Sequence, residues 1–422
     1  MVADPARPAD VRVDLVAQQQ TLTVGGRSVS GFTVNGTSPG PEIRARQGEL
    51  IEVHLRNESV ADGVTLHWHG VDVPNAMDGV AGVTQDAVRV GGSFTYRFVA
   101  NQAGSFWYHS HQVSNPQVAG GLLGSLVVTP KSGIAQQVDV SAVAHSYGGV
   151  RTINGKAEDL RVPAKPDQRV RVRVTNTDNG PMKVWSSGSY RLLAVDGTEV
   201  NEPTEVSGRS LTLTAGARAD LEVKTPSDGA AVRVQLSKAT AVIIGAPGAE
   251  TAVPPQPADE LDLLSYGSPA PLGFDPAQAT RRFEYRIGRR PGFVKGLPGM
   301  WWSINGHLYP NVPMYVVRDG DVAVVHIDNR NGEVHPMHLH GHHVVVLARN
   351  GVAATGSPWW VDSLNVLPNE AYDIAFVANN PGIWMDHCHN LKHAAQGMIA
   401  HLMYEGFDTP YRIAGSADNQ PE

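Results

Sequence analysis

The chain of 422 residues holds a single cysteine, Cys388. One thiol excludes an intrachain disulfide framework and leaves that group free for metal or redox chemistry. Charge is sparse at 18% with a net of -7, so the basic face that nucleic-acid binders present is not expected. No apolar run approaches the roughly 18 residues of a membrane span. No long 3.6-residue period stands out either, which argues against extended helices. The opening Met1-Val2-Ala3-Asp4-Pro5 lacks the basic and apolar regions of a signal peptide. That leaves a cytoplasmic protein or a mature secreted, periplasmic or cell-envelope form, and the second is the expectation here.

What the chain has instead is turn punctuation and short alternating runs. Its 44 glycines and 29 prolines are scattered, and between them lie stretches such as 11–16, 49–55 and 93–98. Period-two alternation with β-branched and aromatic residues reads as antiparallel strands of sandwiches or barrels. Short helical turns are expected only near 115–121 and 391–396. One phrase recurs: Glu49-Leu50-Ile51-Glu52-Val53-His54-Leu55-Arg56-Asn57 is echoed by 168–176 and 321–329, each an alternating strand ending in Asn. Such repetition predicts three related β-sandwich domains: 1–133, 134–262, and 263–422, the last beginning in a Pro-rich linker.

The chemistry concentrates around Cys388. His387 and His389 flank it, with His393 five and Met398 ten positions further on. A buried free cysteine beside incidental histidines is the bland alternative. Three imidazoles and a thioether at this spacing favour a metal: two histidines, one thiolate and a weak Met suit a blue-copper electron-transfer centre. On a strand, His387 and His389 point opposite to Cys388, so one strand touches two metal sites roughly 10 Å apart.

The missing histidine comes from His335, three positions before His338, where Pro336 disrupts regular pairing. Cys388, His335 and His393 with axial Met398 then complete one site. Eight histidines remain in pairs spaced i, i+2, so that each pair faces one way on a strand: His67 and His69, His109 and His111, His338 and His340, His387 and His389. Two pairs come from the first domain and two from the last, which places a second site at their interface. The middle domain has one histidine, His145, and reads as a spacer and wall without metal. His54, His307, His326 and His401 read as surface or supporting strand residues, and His342 and His343 sit beside ligands. A zinc hydrolase is a poor match, because it has no use for a lone thiolate with an axial Met.

Together these motifs resemble the multicopper oxidase family in its three-domain, laccase-like, bacterial form, over essentially the whole chain. Asp78-Gly79-Val80 with Thr84-Gln85, Phe106-Trp107-Tyr108 and Pro358-Trp359-Trp360-Val361-Asp362 share the likeness. The resemblance implies an all-β fold of three cupredoxin-like Greek-key β-sandwich or barrel domains. It also implies four copper ions: type 1 at His335, Cys388, His393 and Met398, type 2 at His67 and His338, and a binuclear type 3 pair at His69, His109, His111, His340, His387 and His389. Cys388, His393 and Asp78 carry the catalytic roles it implies: electron entry at His393, transfer through Cys388, and an acid beside the trinuclear cluster at Asp78.

The expected activity is one-electron oxidation of phenols or aromatic amines at type 1 copper, coupled to four-electron reduction of O2 to water. The alternatives are a metallo-oxidase for Cu(I), Fe(II) or Mn(II), or a copper-tolerance or copper-sequestering protein. An axial Met points to a low to middle potential. Both halves of the trinuclear site lie on one chain, which favours a monomer. One departure stands out: where many bacterial relatives carry a carboxylate after the last type 1 histidine, this chain has Ala394. Protons must then come through Asp78, water or another acid.

Overall fold

The computed structural model describes residues 4–422; Met1, Val2 and Ala3 of the opening stretch read above lie outside the described residues. Six sheets fall into three pairs, built in chain order from strands within Val11–Thr129, Val138–Glu260 and Arg281–Tyr404. The only α-helices among the described residues are the short turns Ser114–Ala119 and Leu391–Ala395. Among the described residues, no helix is long and apolar enough to cross a membrane. This is the all-β architecture expected from the alternating runs, in the cupredoxin-like form that the resemblance implies.

The recurring phrase has a structural cause. Its three copies are the strands Leu50–Asn57, Arg169–Asn176 and Val322–Asn329. Each pairs parallel with the opening strand of its own unit and antiparallel with a later one. The closing Asn is buried in every copy and its amide ties down the loops beyond: Asn57 Nδ2 donates to the carbonyls of Val60 and Val88, Asn176 to those of Gly180, Leu213 and Thr214, and Asn329 to those of Glu333, Val366 and Leu367. A buried backbone carbonyl without a partner is costly, so one amide at the strand end supports the turns that follow.

Apolar packing joins the units unequally. One continuous core runs through the first and third units, from Leu15 and Trp68 to Trp384 and Tyr404. The middle unit has its own core around Val172, Leu192 and Leu221. The Pro-rich segment before the third unit is anchored rather than loosely draped. Tyr266 packs into the middle core, donates its hydroxyl hydrogen to Thr204 O at 2.7 Å and accepts from Leu192 N at 3.0 Å.

Candidate metal centres

Strand register places the donors. In the first unit His67–His69 runs antiparallel to Gly104–His109, with His67 opposite His109. In the third, His335–Leu339 runs antiparallel to Ile383–Cys388, with His338 opposite His387 and Met337 opposite Cys388. Pairs at i, i+2 on neighbouring strands therefore converge from each unit on the shared seam.

Eight histidines meet there, all buried. Ligand atoms lie within 4.8 Å of one another in three groups: His67, His69 and His338; His69, His109 and His389; and His111, His340 and His387. The six histidines expected at a binuclear pair thus separate into two triads, each mixing both units, with His67 and His338 set apart beside His69. The fourth donor group is His335, Cys388 and His393. Cys388 Sγ lies 3.8 Å from His335 Nδ1 and 3.7 Å from His393 Nδ1, and those two nitrogens are 3.2 Å apart. Met398 is buried beside them: its carbonyl accepts from Cys388 N at 3.2 Å and its N–H donates to His393 O at 3.1 Å.

The outer nitrogens fix which lone pairs face inward. His67 Nδ1 donates to Asp78 O at 2.9 Å, His109 Nδ1 to Ser110 O at 3.0 Å, His111 Nδ1 to Pro421 O at 3.1 Å and His338 Nδ1 to Asp362 O at 2.8 Å. His340 Nδ1 donates to Asp78 Oδ2 at 3.0 Å. Each of these rings then turns an Nε2 lone pair toward the seam. His69 is reversed: its Nε2 donates to Asp362 Oδ1 at 3.1 Å, leaving Nδ1 to face inward.

The consequence is a set of converging lone pairs. His338 Nε2 lies 3.4 Å from His67 Nε2, and His387 Nε2 lies 3.2 Å from His340 Nε2 and 3.4 Å from His111 Nε2. His69 Nδ1, His109 Nε2 and both ring nitrogens of His389 are buried without a hydrogen-bond partner. Such orphaned atoms are rare and call for an explanation; cations between the rings supply one. Burial, aided by mutual repulsion, holds His69, His109, His111, His340 and His389 well below the ordinary imidazole range, and His335 and His387 at about 3. Neutral imidazole is the form that binds metal. Burial pushes the Cys388 thiol up, so a metal entering that site displaces a proton from sulfur. A soft thiolate with imidazoles, and an all-imidazole cluster, both fit copper.

Asp78 spans the cluster, with Oδ1 3.1 Å from His67 Nδ1 and Oδ2 on His340. Three other groups were not legible as site residues, and a fourth, His343, read only as a neighbour of the ligands. Asp362 closes the aromatic motif 358–362 and holds His69 and His338; burial disfavours its charge, but Arg218 and the hydrogen bonds from His338, His343 and His69 keep its carboxyl well below the usual range. Arg218 comes from the middle unit, which therefore does more than space the others. His343, contacting Asp72 and Asp362, is pushed up to about 10 by those carboxylates against the effect of burial. Glu422 places Oε1 3.0 Å from His387 Nδ1. His342 and His401 are buried, His342 donating to or accepting from the Tyr404 hydroxyl at 2.7 Å, while His54 and His326 lie at the surface.

The outer edge of the Cys388 site has its own frame. His335 Nε2 lies 3.0 Å from Asn331 Oδ1, and His393 Nε2 lies 3.3 Å from Glu333 Oε2. Trp302 packs edge-on to His335 at 4.7 Å and tilted against His393 at 4.6 Å, and Arg289 covers its other face at 4.4 Å.

The family pattern described as multicopper oxidase matches residues 16–133, and a second of the same description matches 276–406. The chain is 29% identical to the multicopper oxidase MmcO of Mycobacterium tuberculosis, over 95% of this chain and 89% of that protein. It is 26% identical to Laccase-1 of Botryotinia fuckeliana, over 96% of this chain and 83% of that one. A crystal structure of a multi-copper oxidase from Pseudomonas thermotolerans superposes with a TM-score of 0.77 at 27% identity, covering 94% of this chain and all of that one. With family patterns matched near both ends and relatives aligned along nearly its whole length, the protein is a member of the multicopper oxidase family, copper-dependent oxidases that bind four copper ions and use O2 with a reducing substrate.

Proposed function

We propose that the chain is a laccase-like oxidase, taking electrons singly from phenols or aromatic amines at the His335–Cys388–His393 edge and delivering them to O2 at the eight-histidine seam. The placement of Cys388 carries this reading. Its sulfur belongs to one donor group, while its chain neighbours His387 and His389 belong one each to two triads of the other. Two peptide units thus join electron entry to oxygen chemistry. Copper bound at these groups supplies the one-electron steps and the storage that four-electron reduction of O2 requires. His335, Cys388 and His393, with Met398 beside them, would hold type 1 copper. His67 and His338 would hold type 2, and the triads His69–His109–His389 and His111–His340–His387 the type 3 pair.

The residues around the entrance suit an aromatic donor. Glu333 offers a carboxylate oxygen that accepts a phenol O–H or amine N–H at the rim of His393. The exposed apolar side chains Phe293, Leu297 and Met300 belong to the hairpin that carries Trp302. A divalent cation would meet the Arg289 guanidinium, whose Nη1 lies 3.4 Å from Glu333 Oε1, and like charges at that range repel. Copper content, the visible spectrum and O2 uptake test the reading. About four coppers per chain, a blue band and faster uptake with a phenol than with Fe(II) or Cu(I) are expected. Uptake with metal ions alone would replace the proposal with a metallo-oxidase.

Each O2 also consumes four protons, and Glu422 holds one where Ala394 cannot. The two residues line the same cavity of about 320 Å³, and the Glu422 carboxyl reaches from it to His387 Nδ1. Burial pushes that carboxyl well above the usual range, which favours the protonated form, the one that can give a proton inward. Glu422→Gln is expected to keep the blue band and lower kcat by roughly 100-fold, the lower end of general-acid effects. Wild-type kcat falls as pH rises through the raised carboxyl pKa, because the donor form is lost; the Gln variant lacks that limb. A pH–rate profile identical in the two proteins would remove Glu422 from proton supply.

A further inference from the structure

We propose that Arg218, a residue of the middle unit, is a positioning residue of the eight-histidine centre, acting through Asp362 to fix which nitrogen of His69 faces the metals. The inference rests on the copper assignment above.

Arg218 is buried where the three units meet. Its Nη1 and Nη2 donate to the two oxygens of Asp362 at 2.7 and 2.6 Å, in the parallel fork that guanidinium and carboxylate share. Nε donates to Ser105 O of the first unit at 3.0 Å, and Nη1 also reaches Gly216 O at 3.3 Å. A second aspartate, Asp196, accepts from Arg218 N at 2.9 Å and from Asp362 N and Ser363 N at 3.2 and 3.1 Å. Side chain and backbone of Asp362 are both held by the middle unit.

The same carboxylate oxygen that accepts from Arg218 Nη1 accepts His69 Nε2–H. His69 is the one ring of the cluster seen to donate through Nε2 and turn Nδ1 inward, and it stacks on His338 at 3.7 Å. It belongs to two of the donor groups, so its orientation bears on both. The backbone is cleared to allow this. A side chain at Gly70, whose φ is +83°, would sit 2.1 Å from Arg218 Nη2, and one at Gly216, with φ +82°, would sit 2.8 Å from His69 Cε1. Without the guanidinium, Asp362 keeps only the longer His343 contact for its buried charge and loses the fork that fixes this rotamer. His69 Nε2 then keeps only the neutral Ser363 hydroxyl, at 3.0 Å, as acceptor, a weaker hold than the charged oxygen, and the ring can turn Nε2 inward like the others.

The test compares copper-loaded wild type with Arg218→Lys and Arg218→Met. Copper content, the type 2 electron paramagnetic resonance signal and the rate of copper release to a chelator are the readouts. The blue type 1 band reports that the third unit is folded. Lys keeps the charge but not the fork, so it is not expected to rescue. Both variants should stay blue, show a shifted type 2 hyperfine splitting and retain seam copper roughly 10- to 100-fold more weakly, the usual effect of losing an outer-shell partner. The double variant Arg218→Met with Asp362→Asn removes the Asp362 charge together with its partner and should show the same loss if Arg218→Met alone does not fold. Unchanged type 2 signal and release rate in Arg218→Lys, or in the double variant, would overturn the proposal while leaving the copper assignment intact. Wild type that binds only one copper would instead overturn the assignment and this inference with it.

Discussion

Cys388→Ser should yield a colourless protein that keeps three of the four coppers and consumes no O2 with a phenol. The sulfur is fully buried between His335 and His393. Serine fills nearly the same space, so the fold survives, but its hydroxyl is a hard donor and does not replace a thiolate for copper. The seam histidines reach their positions through their own backbone register and need nothing from the sulfur. Copper content should fall by one, the blue band should vanish and uptake should drop to that of the copper-free protein. A variant that stays blue, or that oxidises phenol with O2 at the wild-type rate, would place electron entry elsewhere.

Asp78→Asn should follow with a loss of roughly 10- to 100-fold in kcat, or in seam copper retention, at full type 1 colour. The carboxylate offers an acceptor to each of two rings, His67 Nδ1 and His340 Nδ1, which stack at 3.7 Å. Asparagine has one acceptor and one donor. If the amide oxygen serves His340, its N–H crowds His67 Nδ1–H, which keeps the Asp78 carbonyl; if the amide flips, His340 loses its acceptor and its Nε2 lone pair drifts out of line. O2 uptake with a phenol, read beside the blue band, checks this. An Asn variant as active as wild type would reduce Asp78 to an ordinary buried loop acid.

The donors were legible because strand geometry is local. Spacing i, i+2 fixes a shared face whatever the rest of the chain does, so His67 with His69 and His338 with His340 could be paired from sequence. The separation of six histidines into His69–His109–His389 and His111–His340–His387 is set by how two units dock, and no local pattern encodes docking. Arg218 was hidden for a related reason. Arg218-Ala219-Asp220-Leu221-Glu222 alternates like a strand with one solvated charged face, yet that face is buried, with Arg218 reaching Ser105 and Asp362 of the other units and Asp220 accepting from Ser105. Glu422 sits in a polar stretch, Ser416-Ala417-Asp418-Asn419-Gln420-Pro421, whose composition reads as surface. Its anchors lie in the first unit: Gln112 accepts from Gln420 N, and Asn419 accepts from Ala87 N. The Pro-rich segment reads as a linker, and its anchoring through Tyr266, Leu264 and Asp262 depends on contacts with distant strands that composition does not encode.

The four-and-four sharing of histidines also makes the seam a metal-dependent joint. Ions held by His67, His69, His109 and His111 from one side and His338, His340, His387 and His389 from the other cross-link units that otherwise meet through the shared apolar core and pairs such as Asn75 with Ile383 and Asn380 with Val73. Metal that binds the docked form and not the parted one adds its binding free energy to the docking. Copper-loaded protein should therefore resist proteolysis between the units longer than copper-free protein, to the extent that the shared apolar core does not already hold them together.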